Sequence, residues 1–411
     1  MRRVVVTGLG LVTPLSNDVE DFWERSLKAE SGISDIDLID TSEFKIKFGG
    51  QIKGWDPNGR LDHREAKRLD RFAQFAMFGG IEAIEDSGLD FNKVDSERAG
   101  CVLGSGIGGL TTIEEQLHKL FYKGPSRVSP FTIPMLMLNA AGGNLSIRYG
   151  MKGPNFSVST ACASANNAIG EALRILQADE ADIIVSGGAE AALCRMGLAA
   201  FGNMKALSGR NDAPTSASRP FDLDRDGFVL GEGAGVFVLE ELEHAKSRGA
   251  KIYCEVVGFG CTADAGHITQ PDEQGIGAAR AMQMAIDDAG IGSDDIQYIN
   301  AHGTSTPLGD KAETQAIKNV FGRGAYDVSV SSTKSMIGHS LGASGGIELI
   351  ASALAIQNGV VPPTANLDTP DPACDLDYTA NQPKERQLEY ALSNSFGFGG
   401  HNACVVIKKF G

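Results

Sequence analysis

Short runs of β-branched residues alternate along the chain with longer stretches whose apolar positions recur three and four apart. The short runs predict strands at Arg3–Thr7, Ala99–Leu103, Asn155–Ser159, Ile183–Ser186, Val236–Glu240, Ile252–Gly258, Tyr298–Ala301, Val328–Ser331 and Ala403–Ile407. The longer stretches predict helices over Val19–Lys28, His63–Ser87, Leu110–Leu120, Ser164–Gln177, Gly275–Ala289, Lys311–Val320 and Gly345–Gln357. Strands and helices in alternation, with short connections, imply an α/β fold whose sheets are covered by helices. Ala163-Ser164 leads into Ile169, Leu176 and Gln177, and Ala343-Ser344 leads into Leu349, Ile356 and Gln357 at the same offsets. This weak repeat predicts two similar halves, residues 1–250 and 251–411. The proline-rich Val360–Gln387 segment reads as a surface excursion.

Composition narrows the class. The 411 residues are 42% hydrophobic and 22% charged, the balance of a globular protein rather than a disordered chain or a coiled coil. No run of 18 apolar residues is present, so no membrane insertion is expected. A net charge of -15 argues against bulk nucleic-acid binding. The seven cysteines are odd in number and lack C-x-x-C spacing, which points to free thiols in a reducing compartment. The N-terminus passes straight into an apolar run without a signal or transit pattern, so a cytoplasmic protein is expected.

Two motifs imitate ligand sites. Gly104-Ser-Gly-Ile-Gly-Gly109 fits the dinucleotide fingerprint, but no strand ending in an acidic residue follows about 20 positions on. Asp222-Leu-Asp-Arg-Asp-Gly227 imitates a calcium loop, but its twelfth position is Gly233 rather than a bidentate glutamate.

A different constellation carries chemistry. In the segment N-F-S-V-S-T-A-C-A-S-A, a strand runs into Cys162 and a helix starts just after it, with small residues on both sides. That is the pattern of a sharp turn with a nucleophile at its apex. A helix N-terminus there favours the thiolate, whereas a free cysteine is more commonly buried and inert. His302 and His339 each follow a predicted strand and sit beside glycine. Two histidines suit a pair of neutral N–H donors for a developing oxyanion better than a protease-type base. Asn394-Ser-Phe-Gly-Phe-Gly-Gly-His-Asn402 reads as a permissive glycine-rich turn carrying Phe396 and Phe398.

T-A-C-A-S, A-H-G-T-S-T-P-L-G-D, S-T-K-S-M-I-G-H and N-S-F-G-F-G-G, in this order, resemble the condensing-enzyme motifs of the elongating β-ketoacyl-[acyl-carrier-protein] synthases. The likeness extends over the whole chain. It implies a thiolase fold, five-layered α-β-α-β-α, made of two βαβαβαββ halves, and a homodimer. It implies decarboxylative Claisen condensation of malonyl-carrier with an enzyme-bound acyl thioester in fatty acid synthesis. A polyketide ketosynthase and a non-catalytic chain-length partner subunit are the alternatives. By resemblance, Cys162 carries the acyl group, His302 and His339 promote decarboxylation, and Lys334 supports the second histidine. The N–H groups of Cys162 and Phe398 would form the oxyanion hole. Phe398 would gate the site, with Phe396 beside it on the substrate. Thr304 and Thr306 would hold the phosphopantetheine arm, and Ile107 would line the acyl pocket. Asn300, Glu313, Glu348 and Ser395 resemble the surroundings of a monovalent cation in some members. No other cofactor is implied, since the pantetheine belongs to the acyl carrier protein. The chain departs from the usual T-A-C-A-T-G at Ala163-Ser-Ala-Asn166, and it has His401 where threonine is common.

An acidic enzyme must still receive an acidic carrier. Asp62 and Glu65 form a capping-box-like start, after which Arg64, Lys67, Arg68 and Arg71 would share one face of a continuous helix. A run of charge is usually only a solvated face. The family's habit of docking its carrier on a basic helix in this region favours a docking role here. A degradative thiolase would need a second active-site cysteine near the C-terminus, and Cys404 in an apolar strand is a poor fit.

Overall fold

A computed structural model describes residues 1–411. Ten strands form one hydrogen-bonded sheet: β1 Val4–Val12, β2 Ala99–Gly104, β3 Asn155–Val158, β4 Ile183–Ala191, β5 Glu232–Glu241, β6 Cys254–Ala263, β7 Tyr298–Asn300, β8 Ser329–Ser331, β9 Tyr390–Gly397 and β10 His401–Lys409. Their order is β8-β7-β9-β10-β6-β1-β5-β4-β2-β3. Read outward from the centre, β1-β5-β4-β2-β3 and β6-β10-β9-β7-β8 have the same chain order. They also repeat the same sequence of two antiparallel and then two parallel pairings. The two sets join through three residue pairs only, Val4–Val6 against Cys254–Val256.

Helices complete the layers. Call Arg71–Ser87 α1, Ser164–Gln177 α2, Ile276–Asp288 α3, Pro307–Phe321 α4 and Ser344–Asn358 α5. Helix α1 covers the outer face of the first set and α3 that of the second, while α2 and α5 contact strands of both sets and lie between them. The result is the α-β-α-β-α stack. The sequence of α5 explains its place: thirteen of its fifteen residues are buried, and a helix apolar all round belongs in an interior. Strand β1 is buried at all nine positions for the same reason. Its Gly10 lets α1 pack directly on the strand, since a Cβ there would lie 2.0 Å from the Gly79 carbonyl oxygen.

Several expectations are corrected. The helix expected over His63–Ser87 is two, because the backbone leaves the helix at Lys67–Leu69 and Asp70 caps a new one, accepting from Phe72 N–H at 3.1 Å. The glycine-rich turn at Asn394–Asn402 is confined to residues 398–400, and the rest belongs to β9 and β10. The Val360–Gln387 excursion is anchored from below. It buries Val361, Ala365, Leu367, Cys374 and Tyr378, and Tyr378 stacks on Phe221 with centroids 3.8 Å apart. Helices Ala140–Tyr149 and Arg195–Asn203 were not expected.

Candidate active site

Both central helices begin the same way. In each, one residue turns left-handed at a single 3-10 turn and the helix starts at a serine; a strand leads into the first turn, and the short Lys334–Ile337 helix into the second. The left-handed residues are Ala161 at φ 51° and Leu341 at φ 47°, both non-glycine and therefore strained. In the first half this turn lifts Cys162 to the head of α2, 7% exposed. In the second half the equivalent position is Gly342.

The other half supplies the partners. His339 follows the short Lys334–Ile337 helix, and its Nε2 lies 3.1 Å from Cys162 Sγ. Its Nδ1 lies 2.9 Å from Ser344 Oγ, and the Phe228 ring meets it edge-on at 5.4 Å. His302 leaves the end of β7, its ring 5.2 Å from that of His339 and perpendicular to it. Its backbone N–H and that of Gly303 donate to Glu313 at 2.8 and 2.7 Å, which sets the loop, while its own Nδ1 is buried without a partner. Gly397 brings the C-terminal turn onto the elbow: a Cβ there would lie 3.0 Å from the Cys162 nitrogen. This approach aims the Phe398 N–H at the Cys162 sulfur. The Phe398 amide is thus brought beside the sulfur, with the Cys162 backbone nitrogen close to the same turn.

Electrostatics follow from burial. Burial holds both histidines well below their ordinary value, and the Lys334 charge pushes in the same direction. They are neutral at pH 7. Burial pushes the Cys162 thiol up to about 12, against which Lys334 and the Phe398 N–H pull. Burial of Cys162 thus opposes the pull of the helix N-terminus toward the thiolate. Lys334, 1% exposed, is ion-paired with Glu348 and acts on the histidines through its charge. Burial raises Glu348 to about 7.

A cavity of about 410 Å³ opens over this group. Cys162, His302, His339, Thr304, Thr306, Phe396 and Phe398 line it, with Phe201, Phe228 and Leu341 as its apolar wall. The hydroxyls of Thr304 and Thr306 stand 3.0 Å apart. Ile107 does not line this cavity; it is 37% exposed on the loop after β2. Of the four oxygen donors expected around a cation, Asn300 Oδ1, Glu348 Oε2 and Ser395 Oγ are buried without partners, which suits a hard cation. Glu313 is already committed to the His302 and Gly303 amides and to Asn394 Nδ2.

The basic stripe is only partly realised. Arg64, Lys67 and Arg68 are exposed, but the break in the helix prevents one shared face. Arg71 is turned inward onto the buried Glu232, at 2.8 Å through its Nε. The calcium-like segment is a structural ion cluster, in which Asp222 accepts from Arg219 Nε and Arg225 pairs with Asp310 and Asp371. Cys404 sits in the outer core of the second half, away from the cavity. Sequence reasoning missed Ser344, Phe228 and above all Glu190, a fully buried carboxylate near the elbow.

This arrangement defines a thiolase-fold condensing enzyme, a cysteine acyltransferase with two neutral histidines. Residues 1–245 match the family model "Beta-ketoacyl synthase, N-terminal domain", and residues 253–368 match "Beta-ketoacyl synthase, C-terminal domain". The chain belongs to the β-ketoacyl synthase family. It is similar to 3-oxoacyl-[acyl-carrier-protein] synthase 2 of Staphylococcus aureus strain COL, 51% identical over 409 residues that cover 100% of this chain and 99% of the relative. The protein of the same name from Synechocystis is also 51% identical, covering 100% and 98%. A solved chain from a type II polyketide synthase acyl-carrier protein in complex with its ketosynthase superposes with a TM-score of 0.92 at 34% identity, with 100% of both chains covered.

Proposed function

We propose that this chain lengthens acyl groups by two carbons in fatty acid biosynthesis, condensing malonyl-[acyl-carrier-protein] with an acyl group held on Cys162. The observation that carries the reading is the Cys162–His339 contact of 3.1 Å, with His302 perpendicular to His339 on the same cavity wall. Cys162 sulfur attacks the acyl-carrier thioester, and its proton leaves with the carrier thiol. The oxyanion forms between the N–H groups of residues 162 and 398. Malonyl-carrier then enters, and loss of carbon dioxide leaves an enolate. With Ser344 donating to Nδ1, His339 carries its hydrogen on Nε2 and donates it to the enolate oxygen together with His302. The enolate carbon attacks the acyl-cysteine carbonyl and expels the Cys162 sulfur as thiolate, which takes up one proton from solvent to restore the starting enzyme.

The names of the 51%-identical relatives support fatty acid over polyketide synthesis. A non-catalytic chain-length subunit has no use for an intact cysteine and two histidines. Arg64, Lys67 and Arg68 would meet the acidic carrier, and Thr304 and Thr306 its pantetheine arm. Asn300, Glu348 and Ser395 would hold a monovalent cation, with Glu313 adding negative charge; its positive charge would help keep the histidines neutral. Strand β3 is the open edge of the sheet, its Phe156 is 40% exposed, and Phe131, Ile133 and Ile107 are also exposed apolar groups. Unpaired strand and apolar surface favour a homodimer across this edge. Seven free cysteines agree with the cytoplasm.

Incubation with acyl-carrier and malonyl-carrier should give one 3-oxoacyl product two carbons longer, identified by mass. Cys162→Ala should form no acyl-enzyme yet still release carbon dioxide from malonyl-carrier. Acylation of the alanine variant would overturn the assignment.

A further inference from the structure

Glu190 lies at the end of β4, fully buried, and no lysine or arginine pairs with it. Five donors converge on its two oxygens. Oε1 accepts from Ser105 Oγ at 3.0 Å and from the N–H groups of Ile107 and Gly108 at 3.2 Å each. Oε2 accepts from Gly106 N–H at 2.7 Å and from Gly342 N–H at 3.2 Å. Every partner is a donor, so only the carboxylate satisfies all five without setting one hydrogen against another. The first four donors belong to the loop after β2 that imitates a dinucleotide fingerprint. The fifth comes from the other half of the molecule, at the position equivalent to Cys162.

The two segments that meet on Glu190 border the reactive thiol. Gly106 packs on the elbow, where a Cβ would stand 3.2 Å from the Ala161 oxygen. Gly342 follows the strained Leu341, whose side chain forms part of the cavity wall. A Cβ on Gly342 would lie 2.4 Å from the Gly106 nitrogen, so the two backbones touch at the carboxylate.

We propose that Glu190 is a positioning residue of the acyl site: its carboxylate clamps the Ser105–Gly108 loop to the Leu341–Gly342 turn and so sets the room beside Cys162 for the acyl chain. Removing its charge frees both segments at once. Leu341, which forms part of the cavity wall, then relaxes, and the site loses discrimination between chain lengths. Glu190 does not touch the reacting atoms, so its removal reads out as selectivity and not as uniform loss of rate. This rests on the proposed acyl transfer to Cys162.

The experiment measures acylation of Cys162 by acyl-carriers of six to sixteen carbons, by intact mass, in the parent and in Glu190→Gln. The glutamine keeps the size but points an N–H₂ at N–H donors. The ratio of rates between the best and the poorest chain length should fall about tenfold, the scale of a change of one or two methylene contacts in a pocket. A uniform loss at every length, or an unchanged ratio, overturns the proposal. Ser105→Ala removes one donor and leaves the carboxylate in place. If Glu190→Gln does not fold, a smaller shift of the ratio in Ser105→Ala supports the clamp and an unchanged ratio overturns it. Failure of the parent itself to become acylated would instead sink the proposed function.

Discussion

His302 and His339 show how an interior sets the state of a catalytic group. An ordinary histidine titrates near 6.5, but both of these are held well below that, by burial first and by Lys334 next. Each therefore stays an uncharged N–H donor through the neutral range. Malonyl decarboxylation by Cys162→Ala should accordingly show no inflection near pH 6.5 when initial rates of carbon dioxide release are followed from pH 8 downward. A break at 6.5 would mean that at least one histidine is solvated. The same shift has a sign for stability. The unfolded chain takes up protons below 6.5 that the fold refuses, so this contribution is intact above 6.5 and is lost as pH falls toward the folded values. Denaturant midpoints should decline on the acid side from that point.

Strand β9 and the turn after it act as an element. The strand presents Phe396 to the cavity, and the turn presents the Phe398 amide to the sulfur, because Gly397 has no side chain to hold them away. Gly397→Ala would set a methyl 2.7 Å from the Thr160 oxygen and 3.0 Å from the Cys162 nitrogen. Overpacking of this kind costs about 1–3 kcal/mol, and displacing one oxyanion donor costs about 10²–10³ in rate. Single-turnover acylation should fall by that factor while the protein remains folded by circular dichroism; a parent-like rate would remove Phe398 from the oxyanion hole. This element was only half legible. Phe396, Phe398 and the glycines stood out, but Asn394 and Ser395 disguised a strand, because both are polar yet fully buried, Asn394 donating to Glu313 and Ser395 Oγ having no partner. Cys162 and His302 were readable because each sits just past the end of a strand beside small residues, and His339 because it follows glycine in S-T-K-S-M-I-G-H, although a short helix separates it from β8. Glu190 was not, since a lone acid in an apolar strand gives no sign of amides that lie far along the chain. The stretch Arg68-Leu-Asp-Arg71 keeps helical spacing, and only Asp70 capping the following helix reveals the break.

The whole molecule carries a net charge of -15 and must still receive an acidic protein. Arg64 in the short His63–Ala66 helix and Lys67 at its C-terminal end are exposed cations for it, whereas Arg68 also lies over the Phe131 ring at 5.2 Å. Arg64→Glu with Lys67→Glu should raise KM for acyl-carrier about tenfold at low salt, since rim charges act through association. Acylation by a pantetheine thioester without the protein should stay at the parent rate. Equal effects on both substrates would reduce this surface to a solvated one. At ~0.15 M salt the screening length is about 8 Å, so the contrast should shrink as salt is added.

The near-twofold repeat of the sheet places the thiol on one half and both imidazoles, with Lys334, on the other. A ribosome delivers the first 250 residues before any of those three partners exists. During that interval Cys162 has neither a histidine nor a second amide beside it, and the growing chain has nothing that can decarboxylate a malonyl thioester. Catalytic competence and completion of folding are therefore a single event. An unfinished or half-folded molecule destroys no malonyl units, and it needs no separate inhibitor to keep it silent.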